Sequence, residues 1–443
     1  MPELPDHLPG RNESSHRMTE ARRTVDILVV GAGPAGMAAA VRARESGRGV
    51  LVLDDNPAPG GQIWRGGQEH SPSARASSWF AKMAASGAQV IAGARIVDGD
   101  AKRQCLTVEM PDSAFEVSYD KLILATGARE LFLPFPGWTI PGVMGVGGLQ
   151  ALVKSGLPVT GKRIVVAGSG PLLLAAAAYF RAHGAIVPIV AEQAPVSRLA
   201  PFASRLAKHP GKLFQAAALR LALHRSRYRS SCWAIRASET ERLESVQLQQ
   251  HNRVWLEPCE YLAVAYGFIS NVELAVLMQC QTGAAGVRVN DLQETSQNQI
   301  YCAGECTGIG GVDLSIIEGE IAGYAASGRD DLAGNLFKKR DKARQFAAAL
   351  ESAFALRDEL RSLADAGTII CRCEDVTRER LEPMRSWRSA KLQTRCGMGP
   401  CQGRICGPIL EFLLGLHPES VRPPVFPARV ETLLRQEEET RPT

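Results

Sequence analysis

Five of the eleven cysteines crowd into one stretch, first as Cys371-Arg-Cys373 and then as Cys396-Gly-Met-Gly-Pro-Cys401-Gln-Gly-Arg-Ile-Cys406. Thiolates at such spacing are metal ligands, because two sulfurs on neighbouring loops can reach one iron, and Cys371, Cys373, Cys401 and Cys406 supply the four that an iron–sulfur cluster needs. Cys396 is then spare. A structural zinc site also takes four cysteines, yet C-x-C followed by C-x-x-x-x-C is unusual for a zinc ribbon, so the reading taken is iron–sulfur. The odd cysteine total and the lack of an export signal argue against a disulfide framework. The scattered Cys105, Cys232, Cys259, Cys280, Cys302 and Cys306 read as small buried side chains.

The second constellation is Gly31-Ala-Gly33-Pro34-Ala35-Gly36 with Asp54, followed by Asp55. Gly31 permits a tight turn, Gly33 lets a pyrophosphate approach the backbone, and Gly36 lets a helix pack closely on a strand. The helix that opens at Pro34 then presents unpaired N–H groups and the positive end of its dipole to phosphate. Asp54 stands 23 residues after Gly31 (54 minus 31), where an acid accepts from ribose hydroxyls. A bare structural βαβ unit is the rival. The Gly60-Gly61-Gln62 loop is expected over the nucleotide, and Thr126-Gly127 is expected where the chain crosses back over it.

These residues need elements to position them. Asp26–Val30 reads as a strand, Met37 to Ala43 as an apolar helical stripe, Val50–Leu53 as a second strand, and Leu122–Ala125 as a buried strand. Residues 74–86 read as a helix, Val90-Ile91 as a strand, and Leu106–Met110 with Phe115–Ser118 as a small antiparallel excursion. A weaker second copy begins at Lys162: strand Arg163–Ala167, turn Gly168-Ser-Gly170-Pro171, helix Leu172–His183, strand Ile186–Val190, then Glu192. Leu173 takes the third glycine position and is expected to hold helix and strand apart or shift the turn. NAD is therefore only a secondary cofactor candidate, and Glu192 would favour it over NADP by repelling a 2′-phosphate. Leu243–Gln249 and Arg253–Leu256 are expected to pair, and Tyr261–Tyr266 to return as a buried strand.

The expected domains are a disordered tail (1–23), a dinucleotide-binding domain (24–158 and 271–330), a second Rossmann-like domain (159–270), a connector of two charged amphipathic helices (331–367), a cluster domain (368–416) and a tail (417–443). At 443 residues, 45% hydrophobic and 22% charged, the chain is a multidomain globular protein with a net charge of only +5. The basic run His224-Arg-Ser-Arg-Tyr-Arg229 reads as a solvated face, so no nucleic-acid partner is expected. No apolar run approaches the roughly 18 residues of a membrane span, and residues 1–23 lack the apolar core of a secretory signal.

Together with Ala125-Thr126-Gly127 and Ala303-Gly304-Glu305, the glycine motif resembles the two-dinucleotide-binding-domain flavoproteins of the glutathione reductase fold family, over residues 24–328. That resemblance implies an α/β fold with two Rossmann-like dinucleotide-binding domains, FAD in the first, Asp54 on its ribose, and the acid after Ala303-Gly304 near its ribityl chain or a phosphate. The family has aspartate there; Glu305 is one methylene longer, which leaves another adenine nucleotide in the same slot as the alternative. The C-terminal cysteine pattern is similar to the small 2Fe–2S domain related to bacterioferritin-associated ferredoxin. The whole layout resembles the α or A subunits of opine oxidases, D-hydroxyproline dehydrogenase and hydrogen cyanide synthase.

This resemblance implies a cytoplasmic subunit, peripheral to the inner membrane if its electron acceptor lies there. It implies a heteromeric dehydrogenase of an opine or secondary-amine amino acid, with a flavin-dependent β subunit of the D-amino-acid-oxidase type, an FMN between subunits, a downstream acceptor and a small γ subunit. No constellation for binding an amine and a carboxylate is readable in this chain, and no catalytic residue is assigned; the β subunit is expected to oxidise the substrate. The alternatives are a self-contained NAD(P)H-dependent reductase and a non-catalytic scaffold.

Overall fold

The computed structural model describes residues 22–65, 73–207, 210–239, 242–418 and 420–434. The N-terminal tail expected through residue 23 lies outside them up to residue 21. The chain opens with β1 (Arg23–Val30), α1 (Pro34–Glu45) and β2 (Val50–Asp54). Every residue of β2 is buried, as befits a strand covered on both faces. Helix α2 (Ala74–Ser86) is capped by Ser73, whose side chain accepts from the Ala76 amide, and ends at Gly87 in the left-handed region. Strands β3 (Gln89–Ala92), β4 (Arg95–Asp100), β5 (Cys105–Glu109) and β6 (Ala114–Leu124) follow. The two segments expected at Phe115–Ser118 and Leu122–Ala125 are thus one continuous strand, because β6 serves two neighbours. Its first half pairs antiparallel with β5, and its second half pairs parallel with β1.

The chain then leaves through β7 (Ala128–Glu130), β8 (Val143–Gly145) and α3 (Val146–Lys154). The second copy follows as β9 (Ile164–Gly168), α4 (Leu172–Ala182) and β10 (Ile189–Glu192). Strand β10 starts three residues later than expected; Pro188 lacks the N–H that a ladder needs, and Ile186 makes only an isolated bridge to Arg163. Next come α5 (Val196–Leu206), α6 (Pro210–Ala222), β11 (Arg227–Arg229), β12 (Cys232–Glu239), β13 (Leu243–Gln250), β14 (Arg253–Pro258), β15 (Tyr261–Ala265) and β16 (Phe268–Ser270). The second sheet runs β11-β10-β9-β15-β8, with β12-β13-β14 as a separate meander. Hydrogen bonding therefore puts β8 in the second sheet, upstream of the boundary expected at residue 158.

The return passes α7 (Glu273–Leu277) and the small hairpin β17 (Thr282–Gly283) and β18 (Gly286–Val287). Strand β19 (Ile300–Cys302) then pairs parallel with the end of β6, completing a first sheet ordered β3-β2-β1-β6-β5-β4. Helix α8 (Gly311–Ala326) packs on α1 at a distance only glycine allows: a Cβ at Gly319 would lie 2.1 Å from the Ala35 carbonyl oxygen, and one at Gly323 2.3 Å from that of Ala39.

Beyond α9 (Asp330–Gly334), the connector is one long helix, α10 (Phe337–Phe354), then an extended stretch and a 3₁₀ turn at Asp358–Ser362, not the two helices expected. The C-terminal unit holds β20 (Ile369–Cys371), β21 (Val376–Thr377), α11 (Arg378–Leu381), α12 (Trp387–Thr394) and α13 (Cys406–Leu414). Its core is continuous with that under β7, β8 and β12: Leu133, Phe135, Trp138 and Trp233 share a cluster with Ile370, Trp387 and Leu410.

Candidate functional site

Gly31 has a φ of +104°, and a Cβ on it would lie 2.3 Å from the Ala125 carbonyl oxygen; one on Gly36 would lie 1.8 Å from that of Gly31. The turn is therefore drawn tight against the end of β6 and the start of α1. Pro34 begins α1 and Ala35 follows, both suited to a first helical turn. Around Gly33 there is room: the nearest atom to a Cβ there would be Gly61 Cα, 3.9 Å away. Gly60 is tied to this turn by its N–H to the Ala32 carbonyl, 2.8 Å. Gly61 packs close on this turn, since a Cβ on it would lie 3.0 Å from Gly33 Cα, and the two glycines lie bare of side chains beside a helix N-terminus, which fits the approach of a pyrophosphate. Gly304 closes another side, since a Cβ there would lie 2.7 Å from that of Ala35. Gln62 points outward and bonds Arg65.

The buried Asp54 carboxylate accepts from the Ala32 amide at 2.5 Å and from the Asn56 amide and side chain at 2.7 Å each. It braces the glycine turn from below. Asp55 is exposed and pairs with Arg95. Glu305 accepts from the Gly311 amide at the start of α8, and burial holds its pKa above the ordinary carboxylate value.

Four further side chains fix this site and were not found from sequence. Glu318, on α8 and 2% exposed, accepts from the Gly304 amide (3.2 Å) and the Thr307 hydroxyl (3.0 Å), and Arg344 of α10 donates to its other oxygen at 3.0 Å. Burial raises the Glu318 pKa while Arg344 and these donors oppose it. The signal was present: an acid in the apolar run Leu314–Ala322 must be buried and must find donors. Asn271 accepts from the Thr126 hydroxyl through its backbone oxygen (2.7 Å) and donates its side-chain amide back to the Thr126 carbonyl (2.9 Å). Arg129 donates to Asn271 Oδ1 (2.7 Å), pairs with Glu273 (2.8 Å) and donates Nε to the Arg404 carbonyl (3.0 Å). One guanidinium therefore ties the Thr126-Gly127 crossing to the cysteine loop.

In that loop, Cys371, Cys373, Cys401 and Cys406 line one small cavity with Phe132, Trp138, Arg372 and Ile405. Cys396 lies off this lining but within 4.8 Å, sulfur to sulfur, of Cys371 and Cys406, and all three are buried. Hydrogen bonds from the Cys396 and Cys406 thiols hold Cys371 far below the usual thiol range, and the donors rise in exchange, Cys396 to about 12. Cys373 is exposed and Cys401 half-buried. A Cβ on Gly399 would lie 2.2 Å from that of Cys373, and Cβ atoms on Gly397 and Gly403 would press on the Trp387 ring at 2.7 and 3.0 Å. The loop is thereby tightly packed; the sulfurs it holds within 4.8 Å of one another are those of Cys371, Cys396 and Cys406, while Cys373 and Cys401 join Cys371 and Cys406 only as lining of the cavity, a set of thiols of the type that binds an iron–sulfur cluster. Trp138 donates Nε1 to the Ile369 carbonyl (2.7 Å), which fastens this unit to the segment after β7.

The family model described as pyridine nucleotide-disulphide oxidoreductase matches residues 25–326, which includes both glycine turns and β19. The chain belongs to that family. A hydrogen cyanide synthase subunit HcnB from Pseudomonas aeruginosa is 31% identical to this oxidoreductase over 419 residues, covering 86% of this chain and 90% of the relative. The A subunit of opine oxidase from Rhizobium meliloti (strain 1021) is 32% identical over 449 residues, covering 91% and 96%. Among solved structures, L-proline dehydrogenase from P. horikoshii superposes with a TM-score of 0.68 at 17% identity, covering 93% of this chain and 80% of that one. T. acidophilum thioredoxin reductase gives 0.53 at 18% identity over 69% of this chain. These two likenesses are of fold. What they share with this chain is an α/β architecture with two Rossmann-like sheets. No helix among the described residues is long and apolar enough to cross a membrane.

Proposed function

We propose that the chain is the electron-transferring subunit of a heteromeric, flavin-dependent dehydrogenase that oxidises the C–N bond of an opine or secondary-amine amino acid. The observation that carries this reading is the Arg129 bridge, which joins the nucleotide-side crossing at Thr126-Gly127 to the loop of Cys401 and Cys406. A nucleotide cradle and a sulfur-lined cavity fastened by one side chain suit a relay better than a substrate pocket. Relatives named as subunits of opine oxidase and hydrogen cyanide synthase support the same assignment.

On this reading Gly31, Gly33, Gly36, Gly61 and Gly304 admit an FAD backbone, Asp54 orients the turn beneath it, and Cys371, Cys373, Cys401 and Cys406 hold a 2Fe–2S cluster. FAD would supply redox chemistry in one- or two-electron steps and the cluster single-electron transfer. The chain's own part is to bind and orient. Glu318 and Arg344 fix the Gly304 turn, Phe132 and Trp138 form the apolar wall of the sulfur-lined cavity, and Arg129 keeps the two regions in register. A partner β subunit carries out substrate oxidation, with FMN held between the subunits and one wall of its site on this chain.

The test is to purify the chain alone and with its co-expressed partner, then assay octopine, nopaline, D-hydroxyproline, proline, sarcosine and glycine with a dye acceptor. Turnover only in the complex is expected, with iron and sulfide in equal amounts in the isolated chain. Sustained turnover by the lone chain, or stoichiometric zinc without iron, would overturn the reading.

A further inference from the structure

The second glycine turn, Gly168-Ser169-Gly170, and the acid ending β10 stand where this fold holds a second dinucleotide. The chain itself is already there. The extended stretch after α10 crosses the turn: the Ser169 hydroxyl donates to the Phe354 carbonyl at 2.8 Å. Gln193 Nε2 reaches the Ala355 carbonyl (3.2 Å), the Phe354 carbonyl (3.4 Å) and the Ser169 hydroxyl (2.9 Å). Arg357 returns its amide to Gln193 Oε1 at 3.2 Å, and Arg198 donates to the Ala355 carbonyl at 2.9 Å.

The two copies can be compared position by position. Glu192 corresponds to Asp54, and Gln193 to Asp55. The Asp55 side chain is 46% exposed, so the nucleoside edge of the first site is open; Gln193 is 0% exposed beneath residues 354–357. Both Glu192 oxygens accept from the chain's own amides, Gly170 and Ala194 at 2.8 Å each. Leu173, at the third glycine position, is wholly buried in the core of this domain. A Cβ at Gly170 would meet nothing within 4 Å, so the phosphate end of the turn stays open and the nucleoside end is the part that is covered.

We infer that residues 354–357 serve as a built-in occupant of the second nucleotide fold, taking the place of a nucleoside, and that Ser169, Gln193 and Arg198 thereby set the electron donor: the chain takes no hydride from NADH or NADPH. The inference goes beyond the proposed function and rests only on the second sheet and the connector. It carries a further consequence. The same stretch runs directly into the cysteine unit, and Arg357 stacks on Trp233 of β12 with 4.6 Å to the ring centroid. Lifting it to admit a dinucleotide would also pull on the anchorage of that unit, so nucleotide binding here and a docked connector exclude each other.

The test uses the full chain with the flavin it retains. Titration with ADP-ribose to about 1 mM, a concentration that would reveal even weak binding, is followed by tryptophan fluorescence, and NADH and NADPH are mixed in under anaerobic stopped flow. No saturable quench and no flavin bleaching are expected. Hydrogen exchange is the second readout and needs no activity. The Arg357 amide, which donates to Gln193 Oε1, should be protected in the wild type, and Gln193→Ala should speed its exchange by about tenfold or more, the equivalent of a single net hydrogen bond. Ser169→Ala, a milder change, should speed the same amide less. Saturable ADP-ribose binding, bleaching by NADH, or exchange of the Arg357 amide that is fast already in the wild type would overturn the inference, even if the proposed function stands. Failure of the amine assays would leave these readouts unaffected.

Discussion

Replacing Glu192 by glutamine should remove one contribution to the pH dependence of stability and so change which protein is the more stable across a defined window. The Glu192 carboxyl is 1% exposed, and burial raises its pKa from 4.5 to about 7 against the lowering effect of the Ala194 and Gly170 amides and the Ser169 hydroxyl. At 1.36 kcal/mol per pH unit, a rise of that size is worth about 3 kcal/mol. The native state holds this proton more tightly than the unfolded chain does, so stability falls as pH rises from about 4.5 to about 7, and the whole cost is present above that. Glutamine cannot ionise and escapes the cost. It also turns an NH₂ toward one of two backbone N–H groups, a loss of about 1–3 kcal/mol at any pH. The variant should therefore be less stable than wild type at pH 5 and equal to it, or up to about 2 kcal/mol more stable, at pH 8. Urea unfolding at both pH values, read by tryptophan fluorescence, measures the swing. An identical pH slope in the two proteins would refute the reasoning, because it would mean that Glu192 titrates as an ordinary carboxylate.

Three further outcomes are expected. Gly319→Ala should lower stability by about 1–3 kcal/mol through overpacking of α8 on α1 and weaken nucleotide retention, whereas Gly334→Ala, where a Cβ meets nothing within 4 Å, should do neither; thermal melts and released-cofactor absorbance decide. Iron analysis should show loss of iron in Cys401→Ser and retention in Cys396→Ser; the opposite pattern would move the ligand set to the buried trio of Cys371, Cys396 and Cys406. Arg129→Ala should raise hydrogen exchange both at Thr126-Gly127 and at residues 401–406, and a rise on one side alone would count against the bridge.

What could be read from sequence was whatever depends on neighbours in the chain. The spacing of Gly31, Gly33 and Gly36 and the start of α1 at Pro34 are local geometry, and so is the helix that begins after Ser73. Residues whose roles depend on distant partners could not be read. Arg129 meets Arg404 across 275 positions, and nothing in its surroundings distinguishes it from any exposed arginine. The connector departs from expectation for a related reason: Ala355 and Leu356 suit a helix, but the carbonyls of Phe354 and Ala355 are taken by Ser169, Gln193 and Arg198, which hold the chain extended. Strand β12 went unread because Cys232-Trp-Ala-Ile shows no alternation, its residues being buried on both faces.

The place of β19 in the first sheet has a bearing on how the chain is made. Its pairing with β6 joins positions 178 apart (300 minus 122), and the seating of Gly319 and Gly323 on Ala35 and Ala39 joins positions 284 apart (319 minus 35). At about 5–20 residues per second of synthesis, the N-terminal half-sheet waits roughly 10–40 s after β6 emerges before its missing strand and helix are available. Residues 143–265, whose sheet is self-contained, can fold during that interval. The nascent first domain is thus an open template with the edge of β6 exposed, and slow or truncated translation should send it toward chaperones or aggregates while the inserted domain survives intact.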